Sequence, residues 1–164
     1  MIPTEEQAKA LWDKYQLPER KRNHVALVAK VALSLAEKRT VNKNLLLAGA
    51  LLHDIDKNIP RLPGERHPDT AVRILREEGM EEVAELVKTH SLHAILDPAI
   101  CPKTLEEKLL YLADKMVKDE VIGVDARFAL WNDEHLPPDV QKILDDSYPK
   151  VKELEKEIEV AKLA

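Results

Sequence analysis

The chain has 164 residues, of which 45% are hydrophobic and 34% charged, and it carries a formal net charge of −5. That length suits one domain around one core, and the composition excludes a disordered chain. The negative charge excludes a general basic surface that would hold nucleic acid by counterion release, so nucleic acid is not an expected partner, although a bound divalent ion can outweigh the overall field locally and admit an anionic substrate.

Four glycines, few aromatics and abundant Leu, Ala, Glu and Lys favour an all-α fold in a single domain over 1–164. Met1 to Ala10 lacks an apolar signal core, and the longest apolar run, Leu45 to Leu52, is too short for a bilayer. A cytoplasmic chain with no membrane partner is expected. Cys101 is the single cysteine, which excludes an internal disulfide and a cysteine-rich zinc site.

Glu5 to Tyr15 carries a weak helical pattern, and Pro18 opens a longer helix to about Arg39 with Val28, Val31, Ala32 and Leu35 as its apolar stripe. Asn42 caps a central helix from Lys43 to about Asp54, thinned on one side by Gly49 and Ala50 for a close neighbour. Ile55 to Arg66 reads as an exposed loop, and Pro68 starts a helix that Gly79 ends. Glu81 to His90 forms a short helix, followed by a loop through Asp97-Pro98 and Cys101-Pro102. Thr104 with Glu107 makes a capping box for a helix to about Lys118 that turns Leu105, Leu109, Leu112 and Met116 inward. Val124 to Trp131 forms another helix, and Pro137-Pro138 introduces the last. Val151, Leu154, Ile158 and Ala161 give that tail an apolar face, which either seals its own core or pairs a homodimer.

Several ionisable residues lie on these apolar stripes, where an unpaired charge costs several kcal/mol, on the order of 3–5. His24 shares a face with Leu27, Val28 and Val31, while His53 follows Leu46, Gly49 and Ala50. Asp114 falls between Leu110 and Val117, and His90 follows Val83 and Leu86. These four can converge, with Asp54 completing the set beside His53. A divalent ion is the simplest partner for imidazoles and carboxylates brought together in this way. A lone histidine on an apolar face is more often a hydrogen-bonded core residue, so the weight rests on the combination.

That combination, His24, then Leu51-Leu52-His53-Asp54-Ile55-Asp56-Lys57, then His67, His90 and Leu112-Ala113-Asp114, resembles the HD superfamily of metal-dependent phosphohydrolases over about Asn23 to Lys118. It is similar to the HDIG-like branch, with Asp56 where that pattern has glycine. The resemblance implies an HD-domain helical bundle, with residues 124–164 as a C-terminal extension, and metal ligands at His24, His53, Asp54 and Asp114. Branches with two metals use the HD aspartate as a bridge and add histidines, here His67 and His90. Ser91 and Leu92 separate His90 from His93, so either of those two fills the last position. The ion is iron, manganese, cobalt or nickel, one or two per chain.

The function implied is hydrolysis of a phosphoester or phosphoanhydride in a small phosphorylated, nucleotide-like substrate by metal-activated water. Asp54 then serves catalysis as well as the metal, Lys57 holds a non-bridging oxygen, and His93 or His90, if free of metal, protonates the leaving group. Asp56 is expected in solvent. The alternatives are a nucleotide-binding regulatory module without turnover and a structural helical protein whose histidines hold no metal.

Overall fold

The computed structural model describes residues 1–163, and the side chains of its last helix up to Glu159. Eight α-helices follow in order: α1 (Glu5–Lys14), α2 (Glu19–Ala36), α3 (Lys43–Leu52), α4 (Asp69–Glu77), α5 (Glu81–Lys88), α6 (Leu105–Asp114), α7 (Val124–Asn132) and α8 (Pro138–Leu163). A short 3-10 helix, Leu92–Leu96, lies between α5 and α6 in the segment expected as plain loop. Among the described residues no strand forms; Val117 and Val121 meet as an isolated bridge. No helix is long and apolar enough to cross a membrane among those residues.

The helix starts follow from local chemistry. The Thr4 hydroxyl accepts from Gln7 N–H and the Gln7 side chain returns the bond, so the orphan donors of α1 are satisfied. Asn42 accepts from Leu45 N–H at 3.0 Å at the head of α3. The same reciprocal box joins Thr104 and Glu107 on α6. Pro68 sits one residue ahead of α4 as its cap. Gly79, with φ +77°, takes the left-handed turn between α4 and α5 that other residues adopt with strain.

α3 is the central rod, with Leu46, Ala48, Ala50, Leu51 and Leu52 all buried. α2 packs along it and against α6, and α5 packs on its other side. Gly49 makes that second approach possible: a Cβ there would run into the Leu86 side chain, with Leu86 Cγ only 3.1 Å away. α8 closes the bundle, burying Leu144, Val151, Leu154 and Ile158 against the same core. The apolar face of the tail therefore packs on its own chain; the side chain of Ala161, assigned to that face, lies outside the described residues.

Two ends differ from expectation in a way that shapes the site. α3 stops at Leu52, with His53 as its C-cap, and α6 stops at Asp114, short of Lys118. Each of these ionisable residues thus stands at a helix C-terminus, where the chain is free to turn away and the side chain faces a cleft.

Candidate metal centre

His53 caps α3, His90 follows the end of α5, and Asp114 is the last residue of α6. Three helix C-termini therefore meet, each with partial negative charge from unpaired carbonyls, a field that favours a cation by about 0.3–1 kcal/mol apiece. His24 enters from the second turn of α2. His24, His53 and Asp114 each offer one ligand atom within 4.8 Å of the others, as do His53, Asp54 and His90.

Hydrogen bonds fix which nitrogen faces inward. Nδ1 of His24 lies 3.0 Å from the Lys118 carbonyl, that of His53 2.7 Å from Ala50 O, and that of His90 2.6 Å from Val87 O. A carbonyl only accepts, so each Nδ1 carries hydrogen and donates, and in a neutral ring Nε2 presents its lone pair. Yet Nε2 of His24 and of His53 face Asp114 Oδ1 at 3.1 and 3.2 Å, and both approach Asp54 Oδ2 at 3.7 and 3.6 Å. Lone pairs aimed at carboxylate oxygens repel, so either Nε2 carries a second proton, as burial opposes but the charges of Asp54 and Asp114 favour at His53, or a cation lies between them. The arrangement therefore suits a divalent ion, with backbone carbonyls orienting the ligating rings from behind.

Without an ion, the centre balances its charges through protons on the imidazoles. Burial alone would raise the Asp54 carboxyl, but the charges of His53 and Lys57 overcome it and hold it below the usual carboxylate range. Burial pushes against ionisation of Asp114 too; the Lys115 ammonium and the bonds from His24 and His53 reverse that and keep it anionic. Burial, then the charges of His53 and His67, push His90 well below the ordinary histidine value. His67 is lowered to about 4, first by burial and then by Lys57. Both rings are neutral near pH 7, the state in which imidazole binds metal.

The cleft above these groups has a volume of about 350 Å3 and is lined by His24, Asp54, Lys57, His67, His90 and Asp114 together with residues of α2 and α7. The His67 ring meets His90 edge-on at 4.9 Å, and its Nδ1 is buried without a hydrogen-bond partner among the described residues, 4.0 Å from Asp56 Oδ2. Asp56, expected in solvent, is buried, with Oδ1 unpartnered, because the turn after α3 folds it back under the cleft. Lys57 reaches over the rim, Nζ 3.7 Å from Asp54 Oδ1. His93 is not brought in: it lies on the 3-10 helix outside the cleft lining, under the influence of Arg66 and Asp69.

Three residues of the site were invisible to the sequence reading. Lys115 is fully buried, its Nζ donating to Asp114 Oδ2 at 2.9 Å and to His90 O at 2.7 Å while lying 4.0 Å over the Tyr111 ring. Its i,i+4 spacing from Tyr111 was the available signal. Arg127 and Trp131, also i,i+4, bring α7 to the cleft.

A family model described as HD domain matches residues 22–119. Among curated proteins, the chain is 34% identical over 127 residues to a tRNA (cytidine(56)-2'-O)-methyltransferase of Thermoplasma volcanium, covering 71% of this chain and 37% of that protein. It is 27% identical over 135 residues to the protein of the same name in Picrophilus torridus, covering 75% of this chain and 39% of that one. The matched region spans less than two fifths of either relative's length. No solved structure matches.

These relatives correct two expectations. Both bear the name of a methyltransferase and neither that of a phosphohydrolase, which overturns hydrolysis of a small nucleotide-like substrate as the expected function. Both names also contain tRNA, which overturns the exclusion of nucleic acid. The physical reason is that a net charge of −5 describes the whole surface, whereas the cleft lining holds five cations, Arg20, Lys21, Lys57, Lys118 and Arg127, against four carboxylates, Asp54, Asp114, Asp119 and Glu134. The local balance is five minus four, one positive charge before any metal is added, so chain-wide charge was the wrong scale.

Proposed function

The chain belongs to the HD domain family, and on that premise we propose that it serves the modification of tRNA as a metal-holding module that grips the RNA backbone for ribose 2'-O-methylation. The observation that carries this is the coincidence of two things: likeness to tRNA (cytidine(56)-2'-O)-methyltransferases and a locally cationic cleft over a cluster suited to metal. Its cations match phosphate oxygens, and its carboxylates and imidazoles match ribose hydroxyls. The RNA-binding share of the work is therefore assigned to this chain, and methyl transfer itself is not.

His24, His53, Asp54 and Asp114 would hold one divalent ion, and His67 and His90 stand beside them for a second. When bound, the metal supplies concentrated positive charge for phosphate oxygens. Lys57 and Lys21 add cations at the rim, while Arg20 is tied to Asp119 by two bonds of 2.8 and 3.0 Å and braces α2 against the segment after α6.

The test is retention of an unmodified tRNA transcript on the purified chain with manganese, with chelator, and with Asp54→Asn. The proposal expects salt-sensitive binding that weakens at least about tenfold with chelator or in the variant, the loss of one charge-assisted contact. Binding indifferent to both, or no binding, overturns it. Transfer of labelled methyl groups to the transcript by this chain alone would show that methyl transfer had been assigned to the wrong protein.

A further inference from the structure

α7 lies beyond the 22–119 segment that the family model matches, yet it supplies one wall of the cleft. On it, the Arg127 guanidinium lies over the Trp131 ring, its Cζ 3.8 Å from the centroid, and Phe128 braces Trp131 in a T-shaped contact with ring centroids 5.1 Å apart. Stacking uses the face of the guanidinium and leaves its donor edge available. Two of its donors, Nε and Nη1, are buried with no hydrogen-bond partner among the described residues. The carboxylates nearest in the field, Asp114, Glu134 and Asp119, make no ion pair with Arg127 among the described residues; Asp114 is engaged by Lys115, Glu134 by Lys118 and Asp119 by Arg20. Buried guanidinium donors without an acceptor are costly and unusual beside a charged cleft unless a ligand draws the side chain out and completes them.

Trp131 has a second neighbour. It also lines an adjoining depression of about 280 Å3, whose walls include Leu92, Leu136, Val140 and Leu144. The indole thus stands between a cationic, metal-competent cleft and an apolar one. A ligand that fits both halves must be anionic at one end and flat and apolar at the other, which describes a nucleotide with its phosphate and base.

We propose that Arg127 and Trp131 form a nucleotide-gripping pair, in which the guanidinium edge takes an RNA phosphate and the indole stacks the attached base over the apolar depression. The pair rests on the tRNA reading and adds to it the residues that engage one nucleotide. Both are binding residues in direct contact with RNA.

The experiment compares cytidine, 5'-CMP and the tRNA transcript on manganese-loaded protein by calorimetry, using wild type, Arg127→Gln, Arg127→Lys and Trp131→Leu, with circular dichroism to check that each folds. Arg127→Gln should weaken 5'-CMP about tenfold to a hundredfold, the loss of a charge-assisted pair of hydrogen bonds, and leave cytidine within about twofold. Arg127→Lys should recover part of that loss, since it keeps the charge without the fork. Trp131→Leu should weaken cytidine and 5'-CMP by the same factor with its fold intact, and a merely structural role for Arg127 would not separate the two ligands as Arg127→Gln does. Should Arg127→Gln bind 5'-CMP as wild type does while tRNA still binds, the pair is refuted and the tRNA reading survives. Arg127-dependent binding of 5'-CMP without tRNA binding supports the pair and overturns tRNA as the partner. Wild type that binds none of the three overturns both.

Discussion

Replacing Lys115 with methionine tests how the anionic centre is held in a buried place. The Nζ–Oδ2 distance of 2.9 Å to Asp114 corresponds to a gross attraction of about 6 kcal/mol at an effective dielectric constant of about 20. Much of that is offset by the desolvation of the ammonium, but truncating one partner leaves the carboxylate uncompensated, and such losses run at about 3–5 kcal/mol. The His90 carbonyl also loses the donor now 2.7 Å away. Methionine keeps the length and volume of the side chain, so packing over Tyr111 is largely retained. The assay is urea unfolding in chelator, so that metal contributes nothing, for wild type, Lys115→Met, Asp114→Asn and the double variant. The single Lys115→Met should cost about 3–5 kcal/mol, and the double variant about 1–3 kcal/mol less than the sum of the singles, because the pair is coupled. A loss under about 1 kcal/mol, or strict additivity, refutes the reasoning.

Other perturbations reach the scaffold. Gly49→Ala gains about 1 kcal/mol of helix propensity but drives a methyl into Leu86, which is itself buried; overpacking at about 1–3 kcal/mol should win. A lower urea midpoint is expected, with Gly49→Ala costing less in a Leu86→Ala background than in the wild type, and a raised midpoint for the single variant would contradict the close approach of α3 and α5. Glu65 is lowered to about 2, first by its bonds from Arg73 and then by Leu62 N–H, with Thr70 adding a third donor. Because the folded value lies below the unfolded one, its stabilisation is present above about pH 4.5 and disappears as pH falls towards 2. The gap in unfolding midpoint between wild type and Glu65→Gln should therefore be full at pH 6 to 7 and close between about pH 4.5 and 2; a gap constant with pH would rule this out.

Much of the scaffold was legible because its signals are local. Thr104 with Glu107, Asn42 before Leu45, and the apolar spacing of Val151, Leu154 and Ile158 each report on a few neighbouring residues and reappear in the structure. The convergence of His24, His53, Asp54, His90 and Asp114 could be read as misplaced charge on apolar stripes. Features set by tertiary context could not be read so. Asp56 looks solvated in a polar loop until the turn after α3 folds it inward. Lys115 looks like any helix-end lysine until Tyr111 and the His90 carbonyl enclose it. Arg127 and Trp131 gain meaning only when α7 is laid across the cleft, and His93, close to His90 in sequence, is carried away by the 3-10 helix. The exclusion of nucleic acid failed for a similar reason, since a sum over the chain says nothing of where charges gather.

The central claim is that imidazoles and carboxylates from α2, α3 and α6 converge as a ligand set suited to a divalent cation. Elemental analysis of protein incubated with manganese and passed through a desalting column, compared with His53→Ala, tests it in one measurement. The account predicts at least one metal ion per wild-type chain and a loss of most of it in the variant. Wild-type protein that emerges without metal, or a variant that retains as much, would contradict it.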